Sequence, residues 1–97
     1  MKVRYTPRAR ADLEAIYDYI DQRNPKAALA VKSRIQRAIN SLSDLPLIGR
    51  PTDRMAGLRV ILAGRYPYRI YYRVRDNVIW IAHIRHTARR LPGPGGI

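Results

Sequence analysis

The chain has no cysteine, no phenylalanine and only two histidines, and no apolar run approaches the roughly 20 residues of a membrane-spanning helix. Without cysteine there is neither a disulfide framework nor a thiol nucleophile. No glycine-rich phosphate loop and no His/Asp/Glu cluster at metal spacing occurs, so neither cofactor nor metal is expected and most enzyme classes are excluded. With no secretory signal either, a cytoplasmic protein that does not enter a membrane is the expectation. At 97 residues there is room for one domain whose single core is held by packing alone.

Acidic residues are also scarce: 7 stand against 19 Lys and Arg, for a net charge of +12. That excess attracts acidic partners. It is concentrated in the second half of the chain, where every base is Arg, and the planar guanidinium fork suits carboxylate or phosphate recognition.

The densest stretch is Tyr66 to Arg90. Tyr68 to Arg75 and Val78 to Ile84 are rich in Tyr, Ile, Val and Trp, and Asp76-Asn77 between them tolerates the positive φ of a type I′ turn. The spacing predicts a β-hairpin. Its register pairs Val74 with Ile79, Tyr72 with Ile81 and Ile70 with His83 on a core face. Arg73 with Trp80, Tyr71 with Ala82 and Arg69 with Ile84 fall on the other face. Arginine beside aromatics there is either a binding surface or amphipathic side chains shielding a half-buried sheet.

Upstream, Lys2 to Tyr5 alternates as a short strand. Thr6-Pro7 reads as an N-cap and first helical residue, and Ala9, Leu13, Ile16 and Ile20, widened by Tyr17, form the apolar stripe of a first helix. Asp12, Glu14, Asp18 and Asp21 read as its solvated face. Asn24-Pro25 ends that helix and opens a second, whose stripe runs from Ala28 through Val31, Ile35, Ala38, Ile39 and Leu42 to Leu45. LPLIGRPTDRMAG is a loop, with Leu47 and Ile48 tucked under the core and Arg50 and Arg54 in water; Leu58 to Leu62 is a further strand. The expectation is a two-layer α+β fold, a short N-terminal strand and antiparallel helical hairpin packed on an antiparallel sheet of three to four strands. Residues 1–92 form the domain and 93–97 a flexible tail.

His83 and His86, near Arg85, Arg89 and Arg90, are the residues here suited to acid/base work on RNA, although a hydrogen-bonded core role for His83 and a binding role for His86 compete with it.

The runs TPRARADLEAIYDYI, NPKAALAVKSRIQRAINSL and LPLIGRP, the pair Tyr72-Arg73 and the terminal IRHTARR together resemble the ParE branch of the ParE/RelE superfamily of bacterial toxins, over residues 2 to 92. The resemblance implies a type II toxin neutralised by a ParD-like antitoxin in a hetero-oligomeric complex and acting on DNA gyrase, with no catalytic residues of its own and no primary role in binding nucleic acid directly. The RelE branch instead cuts messenger RNA on the ribosome, using Lys/Arg with Tyr, or Glu with Arg, His and a terminal Tyr. This chain has no Tyr after Arg85, which favours gyrase over the nuclease. A plain basic nucleic-acid-binding module is the third alternative.

On this reading Arg69, Arg73, Arg85, His86, Arg89 and Arg90 converge into one basic target-binding edge. Leu13, Ile16 and Tyr17 of the helix, with Arg54, Tyr71 and Trp80, line a groove for the antitoxin.

Overall fold

The computed structural model describes residues 1–87, in the order β1 (Lys2–Tyr5), α1 (Pro7–Arg23), α2 (Pro25–Asp44), β2 (Arg50–Pro51), β3 (Arg59–Ala63), β4 (Tyr66–Arg75) and β5 (Val78–His86). The helical hairpin forms where local chemistry dictates. The Thr6 hydroxyl accepts from the Ala9 N–H at 3.0 Å and the Asn24 side chain accepts from the Ala27 N–H at 3.1 Å, each followed by a proline at the first helical position. Asn24 also donates its own N–H to Ile20 O at 2.7 Å, so one residue closes α1 and opens α2.

The helices cover one face of a five-stranded sheet ordered β1-β5-β4-β3-β2, giving the expected two-layer α+β fold. The sheet is wider than the three to four antiparallel strands expected, and mixed, because β1 runs parallel to β5. A parallel partner so remote in sequence leaves no local signal. β2, a two-residue strand within the stretch read as a loop, pairs antiparallel with β3.

The core lies between the layers. Val31, Ile35, Ile39 and Leu42 of α2 meet Ile70 and Tyr72 of β4 and Ile79, Ile81 and Ile84 of β5, all essentially excluded from water. Each such side chain contributes about 1.5 to 3 kcal/mol from burial. In α1 only Ala9 is fully buried; Leu13, Ile16, Tyr17 and Ile20 pack against the core while keeping a partly exposed flank. Leu45, Leu47 and Ile48 are exposed, contrary to expectation. What enters the core at this loop is Gly49, whose N–H donates to the Tyr72 hydroxyl at 2.8 Å. A Cβ on residue 49 would meet that oxygen at 2.5 Å, so the approach requires glycine.

The β4–β5 hairpin turns at Asp76 (φ 52°) and Asn77 (φ 60°), the type I′ geometry anticipated. Its register runs as expected through Val74–Ile79, Arg73–Trp80 and Tyr72–Ile81, and then shifts. Tyr71 pairs with His83, Ile70 with Ile84 and Arg69 with Arg85, leaving Ala82 as the extra residue of a β-bulge. The expected pairs Ile70–His83, Tyr71–Ala82 and Arg69–Ile84 are therefore wrong by one residue. Ile84 turns inward, and His83 turns to the outer face.

α1 holds the bulge. The Thr6 N–H donates to Ile81 O, and the Thr6 hydroxyl shares its proton between Ile81 O and Ala82 O, at 3.1 and 3.0 Å. Asp12 accepts the Ile84 N–H at 3.0 Å and, through its other oxygen, pairs with Arg8 at 3.3 Å. Asp12 is thus a tie between the layers and not part of a solvated acidic face.

Replacing Tyr72 by Phe should lower stability by about 1 to 3 kcal/mol, because it leaves a buried N–H at Gly49 unpaired. Tyr66→Phe, whose hydroxyl bonds nothing among the described residues, should stay within about 0.5 kcal/mol. Urea unfolding of both variants checks this, and equal midpoints would refute it.

Candidate functional site: the uncovered face of the sheet

Among the described residues no element covers the second face of the sheet, and its composition follows from the period of two along each strand. One cross-strand row reads Arg4, Trp80, Arg73. The next reads His83, Tyr71, Val60, Arg50. A third joins Arg85 to Arg69 and Leu62. The centre is apolar, a small second core of Leu58, Val60 and Tyr71 flanked by Ala82, and the surround is mainly arginine, with Asp53 and Asp76 at the rims.

Two hollows open on this face. One, of about 450 Å³, is lined by Leu58, Arg73, Trp80, Ala82 and His83, with Met55 at the rim against the Arg73 guanidinium. The other, of about 280 Å³, lies over Tyr71 between Arg50, Arg54 and Arg69. Tyr71 is 5% exposed and so forms a floor, whereas Trp80 is only half-buried and presents its ring.

His83 stands edge-on to Tyr71, ring centroids 6.3 Å apart. Burial and the nearby Arg8 guanidinium push its pKa down, against a smaller opposing pull from Asp12. Its Nδ1, like Nε of Arg85, is buried without a hydrogen-bond partner among the described residues. A neutral imidazole among guanidinium groups is chemically suited to accept a proton or a hydrogen bond.

The basic edge expected from the sequence is only partly assembled. Arg69, Arg73 and Arg85 share the uncovered face, but His86 pairs with Tyr68, the two rings edge-on at 5.3 Å. With Asp12, Ile16, Tyr19 and Arg85 these rings line a separate cleft of about 500 Å³ against α1, so Arg85 pairs with Arg69 in the strand register while its side chain borders this cleft. Arg89 and Arg90, like the tail at 93–97, lie outside the described residues. The expected groove is divided as well. Leu13, Ile16 and Tyr17 pack on the helical side, while Arg54, Tyr71 and Trp80 belong to the opposite face. Tyr17 is a neutral phenol, its pKa raised to about 12 by burial and by Tyr5. Arg4 was not among the expected site residues, and His83, considered for acid/base work, was expected on the core face; the spacing of Ile79, Ile81 and Ile84, two then three, was the signal for its outward placement.

The profile of ParE toxins of the type II toxin-antitoxin system parDE matches residues 3–91. The chain belongs to the ParE toxin family. Toxin RelE2 of Caulobacter vibrioides is 41% identical over 88 residues, 91% of this chain and 97% of that one. The chromosomal ParDE toxin-antitoxin system of P. aeruginosa superposes with a TM-score of 0.77 at 30% identity, over 89% of this chain and 95% of that one. The RelBE2 toxin-antitoxin complex of Mycobacterium tuberculosis follows with a TM-score of 0.59 at 31% identity, over 88% and 95%. This ParE-family chain is a type II toxin of the ParE/RelE superfamily. None of its described helices is long and apolar enough to cross a membrane.

The lowered pKa of His83 has a consequence for stability. The unfolded chain, with His near about 6.5, binds the proton more tightly than the folded one, so stability is full above that pH and falls as pH drops through it. His83→Gln should flatten the decline between pH 7 and 5.5 in thermal melts. Parallel declines in the two proteins would contradict the placement of His83.

Proposed function

We propose that this toxin acts by binding and inhibiting DNA gyrase, and that a ParD-like antitoxin neutralises it by occupying the same uncovered sheet face. The observation that carries this reading is the interleaving of the rows. Trp80 lies between Arg4 and Arg73, and the hollow over Tyr71 lies between Arg54 and Arg69. A partner seated on the apolar centre therefore covers the arginines offered to a target. Neutralisation is occlusion. Acidic side chains on an apolar strip complement this surface. An antitoxin that also touches the flank of Leu13, Ile16 and Tyr17 has to wrap from one layer to the other. Solved relatives are toxin-antitoxin complexes, which supports an antitoxin as partner. The setting for such a pair is the cytoplasm.

A second reading, a ribosome-dependent messenger RNA endoribonuclease, draws on one observation. His83, kept neutral, faces Tyr71 on a face rich in arginine, an arrangement in which an imidazole can serve as general base and guanidinium groups can stabilise a phosphorane.

Purified gyrase supercoiling, run beside cleavage of ribosome-bound transcripts, separates the two. The gyrase reading predicts inhibited supercoiling and intact transcripts, with His83→Gln and His86→Gln still inhibitory and the double change of Arg69 and Arg73 to Glu inactive. Transcript cleavage that is lost with either histidine, supercoiling being untouched, would overturn it, since removal of a general acid or base costs about 10² to 10⁴ in rate.

Trp80→Ala should weaken the antitoxin complex by about 2 kcal/mol or more, roughly 30-fold in Kd, whereas Arg54→Ala at the rim should mainly slow association. An unaltered Kd for Trp80→Ala with complete loss for Arg54→Ala would refute this anatomy.

A further inference from the structure

A second arginine cluster lies on the helical side of the molecule, away from the face proposed for antitoxin and target. Arg34 and Arg37, three residues apart on α2, converge with Arg65 of the β3–β4 turn around an open hollow of about 490 Å³, to which Ser33 and Tyr66 also contribute. No carboxylate lines it. Among the described residues none of the three guanidinium groups has an ion pair or hydrogen bond.

The turn is shaped to hold this arrangement. Gly64 has φ +59°, and a Cβ there would collide with the Arg34 guanidinium, which lies half-buried across the turn. The backbone conformation favours glycine here, and its lack of a side chain leaves the room that the Arg34 guanidinium occupies. Arg34 thus lies beside the neighbour of Arg65, and Arg37 lies one turn further along the same helical face. Three like charges repel one another when so gathered, and no ion pair or lining carboxylate among the described residues offsets them. Only a bound anion would turn that repulsion into attraction.

We propose that Arg34, Arg37 and Arg65 form a binding site for a phosphate group. A carboxylate carries one charge and two oxygens, which a single guanidinium fork satisfies. Three forks match the larger charge and additional acceptor oxygens of a phosphate, and Ser33 and Tyr66 bring hydroxyls within the same hollow. The hollow is open enough to admit a phosphate carried on a larger molecule. Because it lies on the other layer, it stays accessible while the sheet face is occupied, and the inference does not depend on which target the toxin inhibits.

The test is an NMR titration of arginine Nε–H resonances in the free toxin, with inorganic phosphate in one arm and a 20-base-pair duplex of arbitrary sequence in the other. Saturable shifts of Arg34, Arg37 and Arg65 are expected with inorganic phosphate. If the source is a nucleic-acid backbone, the duplex shifts the same three resonances. The triple change R34Q/R37Q/R65Q should then reduce the slope of log K against log salt by about 2 to 3, near 0.9 per phosphate contact. If the source is a free phosphate compound, inorganic phosphate alone produces the shifts. R34K/R37K/R65K keeps the charge and the fold but lacks the forks, and should lose the saturable response to phosphate. The site is disproved if neither probe shifts these resonances saturably, if the lysine variant responds as wild type does, or if phosphate shifts all surface arginines alike.

Discussion

A single extra residue in the last strand determines what each face of this protein carries. At Ala82 the strand bulges, and with it the alternation of β5 changes phase: Ile79 and Ile81 point into the core before it, and Ile84 after it. A regular strand would bury His83 and expose Ile84, placing an imidazole in an apolar core and removing a large aliphatic group from it. The bulge is held from the helical layer. Beyond Tyr5, β1 no longer pairs with β5, so backbone groups on that side need other partners. Thr6 takes Ile81 O and Ala82 O, and Asp12 takes the Ile84 N–H. The residue that caps α1 therefore also fixes the register of the working strand.

The consequence is a strict division of labour between faces. The helical hairpin spends its apolar stripes on one side of the sheet, leaving the other with a second, smaller core ringed by arginine. A monomer with an apolar centre and a charge of +12 is suited to tight capture by an acidic partner and poorly suited to solitude. The family resemblance and this surface argue in the same direction from separate observations.

Much of this was legible in the sequence where the governing chemistry is local. Thr6-Pro7 and Asn24-Pro25 act within one helical turn, and Asp76-Asn77 within one hairpin turn, so the two helices and the register next to the turn could be read directly. Non-local features were not legible. The parallel pairing of β1 with β5 depends on the whole intervening chain, and β2 is a strand only because β3 lies beside it. Leu47 and Ile48 were expected inside on hydrophobicity, but the loop is anchored by a backbone N–H reaching Tyr72, a contact that only a glycine permits. Asp12 looked like one of a row of surface acids, and its tertiary role depends on the unpaired amide of a strand 72 residues away. The bulge did leave a trace, in the unequal spacing of Ile79, Ile81 and Ile84, but a two-residue period assumed throughout the strand conceals it. For the candidate site this single slip mattered most, since it misassigned the faces of His83 and Ile84.

The absence of native cysteine allows the bulge to be tested directly. Single cysteines placed at positions 79, 80, 81, 83, 84 and 85 can be scanned for thiol-labelling rate in the folded toxin, then again with its antitoxin bound. The bulged strand predicts labelling at 80, 83 and 85, protection at 79, 81 and 84, and loss of labelling at 80 and 83 in the complex. Unbroken alternation, with 83 and 85 protected and 84 reactive, would contradict the bulge and the face built upon it.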